Sequence, residues 1–167
     1  MIKNVVLSDR KIRIAVVGCG RISKKHFESI EYHDEQLELI SVCDTDPEIL
    51  SETHEKYGVS TYLYLGDMVQ NEELDLVVLC TPSGLHASQA ELAAKYGVNV
   101  ITEKPMATRW QDGVRMVKAC DDAGVRLFVV KQNRRNNTLK LLKNAIEKGR
   151  FGRIYMVNIN VFWTRPQ

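Results

Sequence analysis

The sequence has no apolar run of the roughly twenty residues that crossing a bilayer requires. Its first seven residues are too few for the apolar stretch of a secretory signal and lack a small-residue cleavage site. No charge of one sign dominates. The 23 Lys and Arg residues against 21 Asp and Glu leave a net charge of +2, which gives no electrostatic reason to bind nucleic acid or an anionic membrane. Cysteine is sparse: Cys19, Cys43, Cys80 and Cys120 are widely spaced with no C-x-x-C pair. Neither a disulfide framework nor a metal site is indicated, and buried, reduced thiols in a cytoplasmic protein are expected. Internal repeats and low-complexity tracts are also absent. What remains is an ordinary globular composition, 44% hydrophobic and 26% charged over 167 residues, enough chain for one buried core.

Strand and helix patterns alternate from Lys11 onward. Runs rich in Val, Ile and Leu at 12–17, 37–43, 76–80, 98–101 and 127–130 suit parallel strands covered on both faces. Between them, Asp46-Pro47-Glu48 reads as an N-cap, a proline at the first helical position and an acid in the first turn, and Gly58 is the stop. A second helix over 83–96 ends at Gly97, and Thr108-x-x-Gln111 fits a capping box with Gly124 as its stop. This is the pattern of a doubly wound parallel α/β sheet. After Val130 the pattern changes to a helix over 137–148 and then a period-two alternation over 153–163, with Tyr155, Val157, Ile159, Val161 and Trp163 on one face and Asn158 and Asn160 on the other. Such a half-buried strand belongs in an antiparallel sheet and cannot stand alone. The expected organisation is therefore a dinucleotide-binding domain over 1–130 and, from 131 to 167, the first helix and strand of an incomplete α+β domain.

The most telling local feature is Val16-Val17-Gly18-Cys19-Gly20-Arg21-Ile22-Ser23, a strand running into a glycine turn and then a helix. Gly18 permits the tight turn and Gly20 lets the backbone approach a pyrophosphate. The amides of the following helix N-terminus face that anion. Ser23 stands where a third glycine is usual. Asp44, at the end of the next strand, is spaced to accept hydrogen bonds from a ribose 2′-hydroxyl, which favours NAD over NADP.

Three further constellations lie after strands. Thr81-Pro82-Ser83-Gly84-Leu85-His86 follows the 76–80 run; it reads either as a turn bordering a cofactor or as a helix start capped by Ser83. Thr102-Glu103-Lys104-Pro105 follows the 98–101 run. Lys104 is either a solvated charge or an acid/base group facing the crevice, with Glu103 holding its orientation. Gln132-Asn133-Arg134-Arg135 follows the last parallel strand, and its arginines are either solvated or placed at a hinge where anionic groups reach them. His26, His33 and His54 lie on charge-rich helical segments and are expected to be solvated.

The set GCGRIS, CTPSGLHA, GVNVITEKPMA and VVKQNRR, followed by a helix and GRFGRIYMVNINVFW, resembles the glucose-fructose oxidoreductase, inositol dehydrogenase and MocA family. The likeness covers the chain from Lys11. The segments EKPMATRWQDG and FWTRPQ are most similar to the branch that oxidises UDP-N-acetylglucosaminuronic acid at its 3-hydroxyl in lipopolysaccharide sugar synthesis. The resemblance implies a Rossmann domain, NAD as cofactor, a nucleotide-sugar substrate and a homo-oligomeric full-length enzyme. It implies that Lys104 is catalytic, that Gly18, Gly20, Arg21 and Ile22 cradle the pyrophosphate, and that Asp44 holds the adenosine ribose. Thr81, Pro82, His86, Glu103 and Gln132 would line the nicotinamide end, and Arg134 and Arg165 would face substrate. The family's D-x-x-x-H element does not occur in this sequence, so this chain by itself is expected to be inactive.

Overall fold

Alternate residues of the first strand, β1 (Ile12–Val17), face opposite sides of a sheet, and in the computed structural model, which describes residues 9–162, both sides are covered. On one side Ile14 and Val16 pack with Val42, Val78 and Cys80 beneath Phe27 and Ile30 of α1 (Ser23–Tyr32) and Leu50 of α2 (Pro47–Tyr57). On the other, Ala15 and Val17 join Val77, Leu79 and Val100. Those are covered by Met68 of α3 (Leu65–Asn71), Ala90 of α4 (His86–Lys95) and Met116 of α5 (Trp110–Ala123). Double coverage is why these strands read as unbroken apolar runs.

The remaining strands are β2 (Leu37–Cys43), β3 (Ser60–Tyr62), β4 (Leu76–Leu79), β5 (Asn99–Thr102) and β6 (Leu127–Val129). All pair in parallel in the order β3-β2-β1-β4-β5-β6. The order reverses between β1 and β4, which leaves a crevice outside their carboxyl ends, the usual ligand position in open α/β sheets. This is the doubly wound parallel sheet that the alternation implied.

The opposite end of the sheet is stitched by Asp75. Its carboxylate accepts both terminal nitrogens of Arg10, at 2.5 and 2.7 Å, and the amide of Arg13 at 2.8 Å. Its carbonyl accepts the amide and the side-chain nitrogen of Asn99, whose own side-chain oxygen accepts the Arg126 amide at 2.9 Å. The Arg10 guanidinium holds the Asp75 carboxyl below the usual carboxylate range.

Helix α2 starts as expected: Asp46 accepts the Glu48 amide at 2.9 Å, Pro47 follows, and Gly58 ends the helix at φ +68°. Two helix starts differ from the sequence reading. Helix α4 begins at His86 rather than Ser83, because the Thr81–Leu85 stretch is spent on a turn closed by the Leu85 amide donating to the Pro82 carbonyl. Helix α5 begins at Trp110 after Arg109, with no side-chain cap, so Thr108 does not form a capping box. Strand β3 and helix α3 were not evident in the sequence; they are three and seven residues long and partly polar, too short to display a period.

The chain divides into two compact units, Met1–Val130 and Lys131–Gln167. The second contains a 3-10 turn, Gln132–Arg135, and helix α6 (Asn137–Glu147), whose N-cap Asn136 accepts the Thr138 amide at 2.9 Å. No described residue of this unit is buried. The strand expected over 153–163 is not formed among the described residues: 153–162 carry no ladder, and Trp163 lies outside the described residues. A strand exists only through its ladder, and the described residues of this unit contain no partner for one.

Candidate functional site

Three turns meet at the carboxyl ends of β1, β4 and β5. Gly18 has φ +89°, and a Cβ there would lie 2.9 Å from the carbonyl carbon of Cys80 and from the amide nitrogen of Thr81. The first turn and the turn after β4 therefore touch backbone to backbone, which only glycine permits. Nothing lies within 4 Å of a Cβ built on Gly20, so the space above it is open. Ser23 is fully buried and its hydroxyl donates to the Gly20 carbonyl at 2.6 Å, fastening the turn to α1. Helix α1 begins without a side-chain cap, which leaves first-turn amides for an anion.

Asp44 is held by the same turn. One carboxylate oxygen accepts the Cys19 amide at 2.6 Å and the other accepts the Asp46 amide at 3.0 Å. A cavity of about 420 Å³ runs past Gly18, Gly20, Asp44, Thr81, Pro82 and Gln89. Its walls include Leu63 and Tyr64, which are 45% and 68% exposed and offer apolar surface to a flat ring. The sequence reading missed these two residues and Gln89, whose side-chain oxygen accepts the Thr81 hydroxyl at 2.5 Å. The apolar Tyr62-Leu63-Tyr64 run was the available signal for the first two. Arg21 lines a different hollow, of about 540 Å³ between α1 and α2, and Ile22 is 40% exposed at the start of α1. These pieces fit a dinucleotide: a glycine-rich turn, open space for a diphosphate, a helix start with no side-chain cap and a pre-oriented carboxylate.

The chemistry-bearing turn after β5 differs from expectation in one respect. Lys104 is exposed, and its ammonium makes no hydrogen bond or ion pair among the described residues. Glu103 and His86, however, lie under the crevice rather than lining it, at 7% and 1% exposure. Both imidazole nitrogens of His86 face backbone carbonyls, Nδ1 to Pro105 and Nε2 to Thr81, each at 2.9 Å. The ring is a brace between the turns after β4 and β5, with no nitrogen left for a ligand. Glu103 is committed to the protein too: Oε1 meets His26 Nε2 at 2.9 Å and Oε2 accepts the Lys104 amide at 3.2 Å. His26, expected to be solvated, is thus a half-buried partner of a buried carboxylate. No sequence period could show this, because the pair joins residues 77 apart.

Burial and then the neighbouring Asp44 or Glu103 charge push the thiols of Cys19 and Cys80 up to about 12, and burial with Asp44 takes Cys43 to about 11. They are therefore protonated and inert at neutral pH. Gln132 and Arg134 sit exposed in the 3-10 turn of the second unit, and Arg165 lies outside the described residues. A separate apolar hollow of about 700 Å³ along α5, past Met106, Trp110 and Val117, shares no residue with the crevice. Among the described residues no cluster of His, Cys, Asp and Glu is placed to hold a metal, and no helix is long and apolar enough to cross a membrane.

Residues 12–131 match the sequence profile of an oxidoreductase family with an NAD-binding Rossmann fold. Among solved structures, the WlbA dehydrogenase from Bordetella pertussis, in complex with NADH and UDP-GlcNAcA, is 60% identical with a TM-score of 0.91, over 94% of this chain and 48% of that one. The WlbA dehydrogenase from Chromobacterium violaceum, in complex with the same two molecules, is 56% identical with a TM-score of 0.96, over 100% of this chain and 48% of that one. A D-apiose dehydrogenase from Paraburkholderia graminis is 33% identical over 86% of this chain and 38% of its own length. The chain thus spans less than half the length of these relatives.

Proposed function

The chain belongs to the Gfo/Idh/MocA oxidoreductase family, with its NAD-binding Rossmann fold, and from that premise we propose that it is the cofactor-binding part of an NAD-dependent dehydrogenase of a nucleotide sugar. The substrate proposed is UDP-N-acetylglucosaminuronic acid, oxidised at its 3-hydroxyl in the making of lipopolysaccharide or O-antigen sugars. The observation that carries this reading is the 56 to 60% identity to two dehydrogenases solved with NADH and UDP-GlcNAcA. The second unit would begin the substrate domain, bringing Gln132 toward the cofactor and Arg134 and Arg165 toward the substrate. Four free, buried cysteines support a reducing, cytoplasmic location.

In this reading Gly18, Gly20, Arg21, Ile22 and the first amides of α1 hold the pyrophosphate of NAD, and Asp44 holds the adenosine ribose. Thr81 and Pro82 border the crevice toward the nicotinamide. When bound, NAD supplies the hydride acceptor. Lys104 presents its Nζ from an exposed turn and carries the proton of the substrate hydroxyl. Glu103 and His86 hold the backbone of that turn from below.

The test is the full-length protein assayed with NAD and UDP-N-acetylglucosaminuronic acid beside D-apiose and myo-inositol. NADH should form with the nucleotide sugar. Lys104→Met should lower turnover about a hundredfold or more while NADH affinity stays within about twofold, since the lysine is not part of the pyrophosphate cradle. Oxidation of the free sugar or cyclitol alone would replace the substrate assignment, and near-normal turnover by Lys104→Met would remove the lysine from the chemistry.

A further inference from the structure

Glu103 is 7% exposed, and a buried carboxylate of this kind needs charge-assisted hydrogen bonds. Its bonds come from two elements that are not neighbours in the sheet. The Lys104 amide belongs to the turn after β5, whereas His26 belongs to α1, which follows β1; β4 lies between the two strands. Within α1 the division of labour is close. Ser23 ties the glycine turn to the helix through the Gly20 carbonyl, and His26, one turn further on, ties the helix to Glu103. The Glu103 amide in turn donates to the Leu79 carbonyl of β4 at 3.0 Å.

We propose that His26 is a positioning residue for Lys104: by donating from Nε2 to Glu103 it satisfies the buried carboxylate, so that the adjacent ammonium stays free to face substrate. The strongest competing partner for an unsatisfied Glu103 is that ammonium itself, one residue away on a long flexible stem. With His26 gone, Lys104 folds back into an ion pair with Glu103 and leaves the crevice. The same bond links the helix that starts at the cofactor cradle to the lysine turn, so the two are held in one frame. This rests on the reading of Lys104 as the proton-carrying group.

Two measurements test it. In the 167-residue chain with 15N-labelled histidine, long-range proton–nitrogen correlations should show His26 carrying hydrogen on Nε2, with that resonance displaced by Glu103→Gln. A neutral Nδ1-protonated tautomer would aim a lone pair at the carboxylate and overturn the proposal. In the full-length enzyme, His26→Ala should lower kcat about ten- to a hundredfold with KM for NAD within about twofold, and His26→Gln, which keeps a donor, should recover most of the loss. Adding Glu103→Gln to His26→Ala should restore part of the activity, because the competing charge is gone; a further additive loss would count against the mechanism. If the alanine variant fails to fold, His26→Leu against His26→Gln makes the same comparison at conserved volume. Unchanged kcat in the donor-free variants alongside a dead Lys104→Met would sink the role of His26 alone, whereas an active Lys104→Met would sink the lysine's role and leave the tautomer result standing.

Discussion

The sheet unit and the segment that begins at Lys131 treat apolar side chains in opposite ways. In the sheet unit Ala15, Val16, Val42, Val77, Leu79 and Val100 have no exposed surface, because helices cover both faces. On α6, Leu139, Leu141, Leu142 and Ile146 are 42 to 69% exposed, and no described residue of that segment is buried. Apolar surface stabilises a fold only when it leaves water, at roughly 25 cal/mol per Å². A leucine is therefore worth several kcal/mol in one region and almost nothing in the other, although both obey a clean period. The contrast separates two things a pattern can mean: a face already covered, and a face that requires a cover.

The largest expected effect breaks that contrast directly. Leu79→Ala should cost about 2–5 kcal/mol in urea unfolding of the chain, through lost transfer energy and the cavity left behind, while Leu141→Ala should move the midpoint by less than about 0.5 kcal/mol. Equal losses would show that α6 is buried in solution.

A smaller effect sharpens the picture inside the sheet unit. Gly18→Ala forces a Cβ to within 2.9 Å of backbone atoms at a positive φ and should cost about 1–3 kcal/mol, together with at least about a tenfold loss of NADH affinity. Gly20→Ala meets no protein atom within 4 Å, so its stability should be near wild type while NADH affinity falls. Calorimetric titration beside thermal melts separates the two, and unimpaired NADH binding by both variants would remove the turn from the cofactor site.

A further effect concerns pH. All four thiols lie in the sheet unit and all are raised above their ordinary 9.0, three of them to about 11 or 12. As pH rises past about 9 the unfolded chain releases these protons first, so stability is full below that point and declines as pH climbs toward about 12. An unfolding midpoint that stays constant between about pH 8 and about pH 10.5 would show the thiols to be accessible in the folded state.

Much of the sheet was legible because doubly covered strands leave long apolar runs: 12–17 and 37–43 coincide with β1 and β2, and 98–101 differs from β5 by one residue. Elements shorter than a period were not legible, as β3 and α3 show. Glycine turns and Asp44 could be read because backbone conformation and strand-end position depend on local sequence. The contacts of His26 with Glu103 and of His86 with Pro105 could not, since each joins segments far apart in the sequence. The alternation at 153–163 pointed to a strand that the described residues do not form, because a pattern becomes a strand only when another strand lies beside it.

Asp75, at the end of the sheet away from the crevice, works as an index pin. Parallel strands lack tight hairpins to set their stagger, and a slip of one residue between β1 and β4 would carry the Thr81 turn about 3.3 Å along the sheet and turn every β4 side chain to the wrong face. The Arg10, Arg13 and Asn99 bonds to Asp75 set that stagger for β1, β4 and β5 together. Alignment is thereby stored far from the turns that meet ligand, and those turns are free to diverge among related sequences without the strands losing count.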